Sequence, residues 1–238
     1  MNKASRKHKS TIAPMRARLL EVYGRLYQRY GSQQWWPSDG PFETIVGAIL
    51  TQNTAWRNVE RAISNLKSAQ ALTPGKLREI SQETLAALVR PSGYFNTKAR
   101  KLKAFAEHLG TRYNDDLNAF LSQDGSLLRQ ELLSIYGIGE ETADDILVYA
   151  ARLPSFVVDS YTRRILERLG LVSESIGYEA IQRLFHESLP SDVQVFNEYH
   201  ALLDRHAKET CRKSPVCDGC CLLDLCPMGR KMLAIAPV

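Results

Sequence analysis

No cysteine stands before position 211 and no tryptophan after position 56. Nowhere do eighteen apolar residues follow one another, so no segment reads as a membrane-spanning helix. The opening MNKASRKHKS is polar and basic and lacks the apolar centre of a secretory leader, which sets the expectation of an intracellular protein with a solvated or phosphate-brushing N-terminal tail. Low-complexity linkers, internal repeats and the alternating pattern of strands are also missing. The five cysteines all fall within residues 211–226, whereas a disulfide framework would spread them along a small secreted chain, so the crowding points to metal. What is present is ordinary for a globular chain of 238 residues, with 44% apolar and 24% charged residues and enough length for one large core or two small ones. Formal net charge is +5 and the isoelectric point is about 8.9, which favours an anionic partner such as nucleic acid.

The pattern is helical throughout. MRARLLEVYGRLYQRYG carries apolar residues at three- and four-residue spacing and stops at Gly31. From Pro41 one helix runs into another across LTQNTAW, and TPGKLREI and SQETLAALV each open on a Thr or Ser cap. A basic helix follows RPSGYF, with Asn96 expected as its cap. Beyond it, GSLLRQELLSIYGIGEETADDILVYAARL reads as helix, glycine turn, helix.

Gly137-Ile138-Gly139 permits a tight turn, with Leu132, Leu133 and Ile135 burying one helix and Ala143, Ile146 and Leu147 the other. Such a turn aims backbone N–H groups outward as an anion site that reads no base sequence, although an ordinary glycine-rich hairpin has the same pattern. After a short extended stretch, VVDSYTRR opens a helix capped near Asp159 or Ser160, where the Asp159 carboxylate suits the dipole and where a simple helix cap is the plain alternative. Cys211, Cys217, Cys220 and Cys226 are spaced C-x5-C-x2-C-x5-C, with Pro227 next. That suits a [4Fe–4S] cluster, with zinc as the alternative; only one C-x2-C pair is present, and Cys221 competes with Cys220 for a ligand position.

A G-I-G hairpin, then V-V-D, then a C-terminal cysteine cluster resembles the endonuclease III-type DNA glycosylases of the helix-hairpin-helix superfamily, over about Pro41 to Pro227. The resemblance implies an all-α fold of two helical lobes with a C-terminal iron–sulfur loop. Its parts would be an N-terminal arm and helix (1–40) packed with the C-terminal lobe, a helical-barrel lobe bearing the hairpin (41–151), and a C-terminal lobe (152–238) with the catalytic Asp and the cysteines. DNA would lie between the lobes. It further implies Asp159 as the catalytic carboxylate, Gly137, Ile138 and Gly139 as the phosphate-binding turn, Tyr94, Phe95 and Asn96 as a loop near the lesion, and Gln52 as the residue that fills the gap left by a flipped base. The family's loop has spacing C-x6-C-x2-C-x5-C, one residue longer than here.

Two departures narrow the reading. Where bifunctional members have a lysine, this chain has Glu141, and a carboxylate cannot form a Schiff base, so lyase chemistry is not expected and water is the nucleophile. Glu141 either positions that water or shapes the pocket. The second is Trp35-Trp36-Pro37 together with Gln-Asn-Thr and Trp56, similar to the endonuclease III-like 3-methyladenine DNA glycosylases. By that likeness Trp35, Trp36 and Pro37 form a pocket wall and Trp56 stacks on the base, since indole faces attract flat cations such as alkylated purines. Packing roles for the tryptophans remain the alternative.

The expected protein is therefore a monomeric base excision repair glycosylase, hydrolysing the N-glycosidic bond of alkylated purines in damaged double-stranded DNA. A glycosylase for mismatched or oxidised bases, or a non-catalytic DNA-binding module, are the rivals. Lys98, Arg100, Lys101, Lys103, Arg212 and Lys213 are candidates for a phosphate track, against a plain reading as solvated faces.

Overall fold

The computed structural model describes residues 3–235, and side chains from residue 13 to residue 234. The side chains of the basic opening expected as a tail lie outside the described residues; its backbone from Lys3 is helical. Among the described residues there is no strand, and no helix is long and apolar enough to cross a membrane. The chain divides into two compact units, residues 36–153 and residues 1–35 with 154–238.

The unit of residues 36–153 contains α2 (Pro41–Leu50), α3 (Trp56–Ser68), α4 (Pro74–Glu79), α5 (Gln82–Leu88), α6 (Phe95–Tyr113), α7 (Leu117–Leu121), α8 (Gly125–Ser134) and α9 (Glu140–Asp145). Helix α9 continues into a π-helical segment, Ile146–Ala150. Pro41 opens α2, and Thr73 and Ser81 cap α4 and α5 by accepting the amides of Lys76 and Thr84, as their sequence positions predict. Helix α2 buries Ile45, Val46, Ile49 and Leu50 against Val59, Ile63 and Leu66 of α3 and Leu102 and Phe105 of α6. Helix α7, capped by Asp116, is an element the sequence pattern did not announce.

Two local expectations are corrected. Asn96 does not cap α6; it is exposed in the first turn, and the cap position belongs to Tyr94, held in the left-handed region at φ 45° after Gly93 at φ 69°. Leu133 is exposed, because Leu132 already faces the core and the next position turns outward.

In the other unit, α1 (Lys3–Tyr30) ends as Gly31 takes φ 67°, and its residues Leu19, Val22 and Leu26 form one buried stripe. That stripe packs in a core with α10 (Ser160–Arg168), α11 (Tyr178–Ser188) and α12 (Val193–Glu209). Phe156 and Phe185 stack at 3.5 Å, with Tyr199 edge-on to both and its hydroxyl donating to the Leu19 carbonyl. The cysteine loop follows α12, and α13 (Pro227–Ile235) closes the chain.

Candidate active site

Between α8 and α9 the turn Gly137-Ile138-Gly139 forms as its glycines predict. Gly137 sits at φ 86°, and Ile138 is buried and anchors the turn. The turn's neighbours are less expected. Gln52, just after α2, donates from Nε2 to the Gly137 carbonyl (3.1 Å) and to Thr142 Oγ1 (2.9 Å), and its Oε1 accepts from Lys101 Nζ. The side chain expected to fill a vacated base position is thus held by the hairpin at two points and by Lys101 of α6 at a third. Glu140 and Glu141 occupy the first turn of α9, where they suit the helix dipole, and Arg129 lies 4.0 Å from Glu140.

Of the other cations proposed for a phosphate track, Lys98 is ruled out by burial. It is 2% exposed, and its ammonium donates to the carbonyls of Leu50 (2.8 Å) and Ser92 (2.6 Å), joining the C-terminal ends of α2 and of the short 3-10 turn Arg90–Ser92. Burial pulls its pKa down to about 8. Lys103 is likewise committed to the carbonyls of Arg78 and Ile80. Arg212 is exposed and donates to the Glu209 carbonyl, and Lys213 is exposed. Arg100 is exposed and lies over Tyr136, itself exposed next to Gly137. Tyr94 is 73% exposed, Phe95 is half-buried beneath the Arg90 guanidinium, and Asn96 is exposed with its carbonyl accepting from Gln82.

Trp36 meets Trp56 edge-on at 4.8 Å between ring centres and lies tilted over Tyr149 at 4.9 Å. Gly47 makes this possible: a Cβ there would come 3.3 Å from Trp36 Cζ2. The π-helical segment is what carries Tyr149. Pro37 is exposed. Trp35 belongs to the other unit, where its carbonyl accepts from Asn197 (2.6 Å) and its ring lies 5.7 Å from the Lys208 ammonium.

In that same unit the extended residues Val157 and Val158 are buried and deliver Asp159 to the N-cap of α10. One carboxylate oxygen accepts the Thr162 amide at 2.7 Å; the other lies 3.8 Å from Nε2 of His200 on α12. Burial alone would raise the Asp159 pKa, but His200 and the Thr162 amide outweigh it and hold the carboxyl below its ordinary value.

Cys211, Cys217, Cys220 and Cys226 line one cavity, whereas Cys221 lines a separate groove with Arg25, Gln28 and Arg29 of α1. Among the described residues no three metal-binding side chains converge on a point. Four thiols lining one cavity would suit a polynuclear cluster, in which each ligates its own iron. Arg168 closes the short first loop, donating to Cys211 Sγ (3.2 Å) and to the carbonyls of Arg212 (2.6 Å) and Lys213 (3.1 Å). Burial pushes the Cys220 thiol up to about 11.

Residues 46–191 match the family described as HhH-GPD superfamily base excision DNA repair protein. The chain belongs to that superfamily. It is an endonuclease III-type helix-hairpin-helix DNA glycosylase. A Methanocaldococcus jannaschii chain bearing the name of a DNA repair glycosylase is 44% identical over 209 residues, 87% of this chain and 95% of the relative. Endonuclease III of Sulfolobus acidocaldarius is 33% identical over 78% of this chain and 81% of its own. Among solved structures, an endonuclease III–DNA complex superimposes with a TM-score of 0.81 at 21% identity, covering 92% of this chain and 98% of the other, which establishes the fold. The H. pylori 3-methyladenine DNA glycosylase bound to 1,N6-ethenoadenine gives 0.71 at 28% identity, covering 80% and 97%.

Within this HhH-GPD member, sequence reasoning missed His200, Tyr149, Gly47 and the Lys101–Gln52 bracket. Only Gly47 left a signal, a glycine inside the apolar run IVGAIL of α2. The others meet across long stretches of chain that no local pattern records.

Proposed function

We propose that this glycosylase is monofunctional and excises alkylated purines such as 3-methyladenine from double-stranded DNA, acting as a monomer. The observation that carries the substrate class is the aromatic nest of Trp36, Trp56 and Tyr149 on the floor left by Gly47. Indole faces attract a flat cationic base and hold it without close reading of its edge. The likeness to a 3-methyladenine glycosylase, at 28% identity, supports the same reading.

Alkylation also simplifies the chemistry. Water adds to C1′, the C1′–N bond breaks, and the bonding pair neutralises the departing cationic base, so no acid is needed to protonate it. The positive charge at C1′ is met by Asp159, whose carboxyl is held ionised, and the same carboxylate takes the water's proton. Glu141 supplies no amine, so the product is an intact abasic site. Gly137 to Gly139, with Lys101 beside them, hold a DNA phosphate, and Tyr94, Phe95 and Asn96 face the lesion. A [4Fe–4S] cluster on Cys211, Cys217, Cys220 and Cys226 would cross-link the C-terminal loop.

A second reading, a mismatched or oxidised base, has its own support in a thymine-DNA glycosylase of Aeropyrum pernix that is 26% identical over 92% of this chain. Trp56→Ala separates the two. Stacking contributes roughly 1–3 kcal/mol per base, so release of 3-methyladenine or 7-methylguanine should fall about one to two orders of magnitude with melting temperature preserved, and Trp56→Phe should restore much of it. Excision confined to thymine glycol or a mismatch would overturn the alkylpurine assignment and leave the glycosylase intact.

A further inference from the structure

We infer that His200 is the positioning residue of Asp159, a role that rests on Asp159 being the carboxylate that serves base release. Two elements converge on this one side chain. From its own helix, the Thr162 amide takes Oδ1 at 2.7 Å; from α12, His200 presents Nε2 to Oδ2 at 3.8 Å. A helix cap alone leaves the second oxygen free to swing about the first. A second holder on a different helix fixes the carboxylate plane.

His200 is 7% exposed. It is buried on α12 among Phe196, Tyr199, Leu202 and Leu203, where an aliphatic side chain would pack at no polar cost. Its Nε2 faces the carboxylate at the N-terminus of α10. The 3.8 Å separation exceeds a direct hydrogen bond, and a small rotation of the imidazole would bring Nε2 within reach of Oδ2. One and two turns further along α12, Asp204 and Lys208 pair with each other at 2.7 Å, so neither cancels the His200–Asp159 relationship. A misplacement of about 1 Å at a reacting group lowers rate by about a hundredfold, which makes the orientation of this carboxylate worth two holders.

The test is a set of single-turnover excision rates on an alkylated duplex, with DNA affinity and melting temperature recorded for each protein. His200→Leu fills the space and removes the polar contact. It should slow excision about tenfold or more while affinity for the duplex stays the same. His200→Gln places an amide nitrogen near the Nε2 position and should restore most of the rate; a packing role alone would rank the two the other way. With Asp159→Asn already present, adding His200→Leu should change the residual rate little, because both act through one group. A His200→Leu protein with wild-type rate, or a His200→Leu loss that persists in full on the Asp159→Asn background, overturns the inference. Should Asp159→Asn itself keep the wild-type rate, the catalytic reading fails first, and that outcome is distinct.

Discussion

Lys101 runs directly across the α-carbon of Gly137, so closely that a methyl group at 137 would overlap its Cγ. The same lysine donates to Gln52, which in turn holds the Gly137 carbonyl and Thr142. The hairpin is therefore braced by two residues distant from it in sequence, and the glycine is required for contact as well as for its φ of 86°.

Gly137→Ala should accordingly lose more than the ~1–2 kcal/mol of a left-handed alanine. Denaturant midpoints should show Lys101→Ala relieving part of that loss, leaving the conformational share. DNA affinity should stay low in the double variant, and Lys101→Ala alone should reduce the slope of affinity against salt by about one contact. Full additivity of the two substitutions would show that the crossing is incidental.

Gly47→Ala should behave unlike most glycine replacements. Position 47 has ordinary helical geometry, so alanine gains up to about 1 kcal/mol of helix propensity. The new Cβ presses on Trp36 at 3.3 Å and moves the aromatic nest. Melting temperature should hold or rise while excision of alkylpurines falls. Unchanged excision would remove Trp36 from the base pocket.

Lys98 makes stability depend on pH in a signed way. Its folded pKa is about 8 against 10.5 for the free side chain, so between those values the unfolded chain binds more protons. Its contribution to stability must rise as pH passes from 8 toward 10.5, as the cost of burying the charge is relieved. Lys98→Met leaves the carbonyls of Leu50 and Ser92 without their donor, at about 1–3 kcal/mol each. The gap in unfolding free energy between wild type and Lys98→Met should therefore widen from pH 7 to pH 10; a narrowing gap contradicts the buried ammonium.

The cysteines give a colour test. Purified protein should be yellow-brown, and Cys217→Ser or Cys220→Ser should bleach it, while Cys221→Ser, facing Arg25 and Arg29, should not. Colourless protein with stoichiometric zinc would replace the cluster by the alternative metal.

What the sequence disclosed follows the range of the interactions. Caps at Thr73, Ser81 and Asp159, the stop at Gly31 and the G-I-G turn are local, and each formed as its residues require. Asn96 misled because Gly93 and Tyr94 had already turned the chain by their left-handed conformations, which puts the cap two residues before the expected one. Lys98 and Lys103 read as surface charge because an ammonium satisfied by backbone carbonyls has no sequence signature. The choice between Cys220 and Cys221 was open for a similar reason: adjacent residues differ in the cavity they face, which the fold alone sets.

The most direct measurement is product analysis on duplexes carrying single 3-methyladenine, 7-methylguanine, thymine glycol or mismatched bases, with borohydride present or absent. The account predicts release of the free alkylated purine, a strand that breaks only after alkali, and no protein–DNA adduct trapped by borohydride, because Glu141 stands where an amine would be needed. Efficient trapping of an adduct, with strand cleavage before alkali, would contradict it.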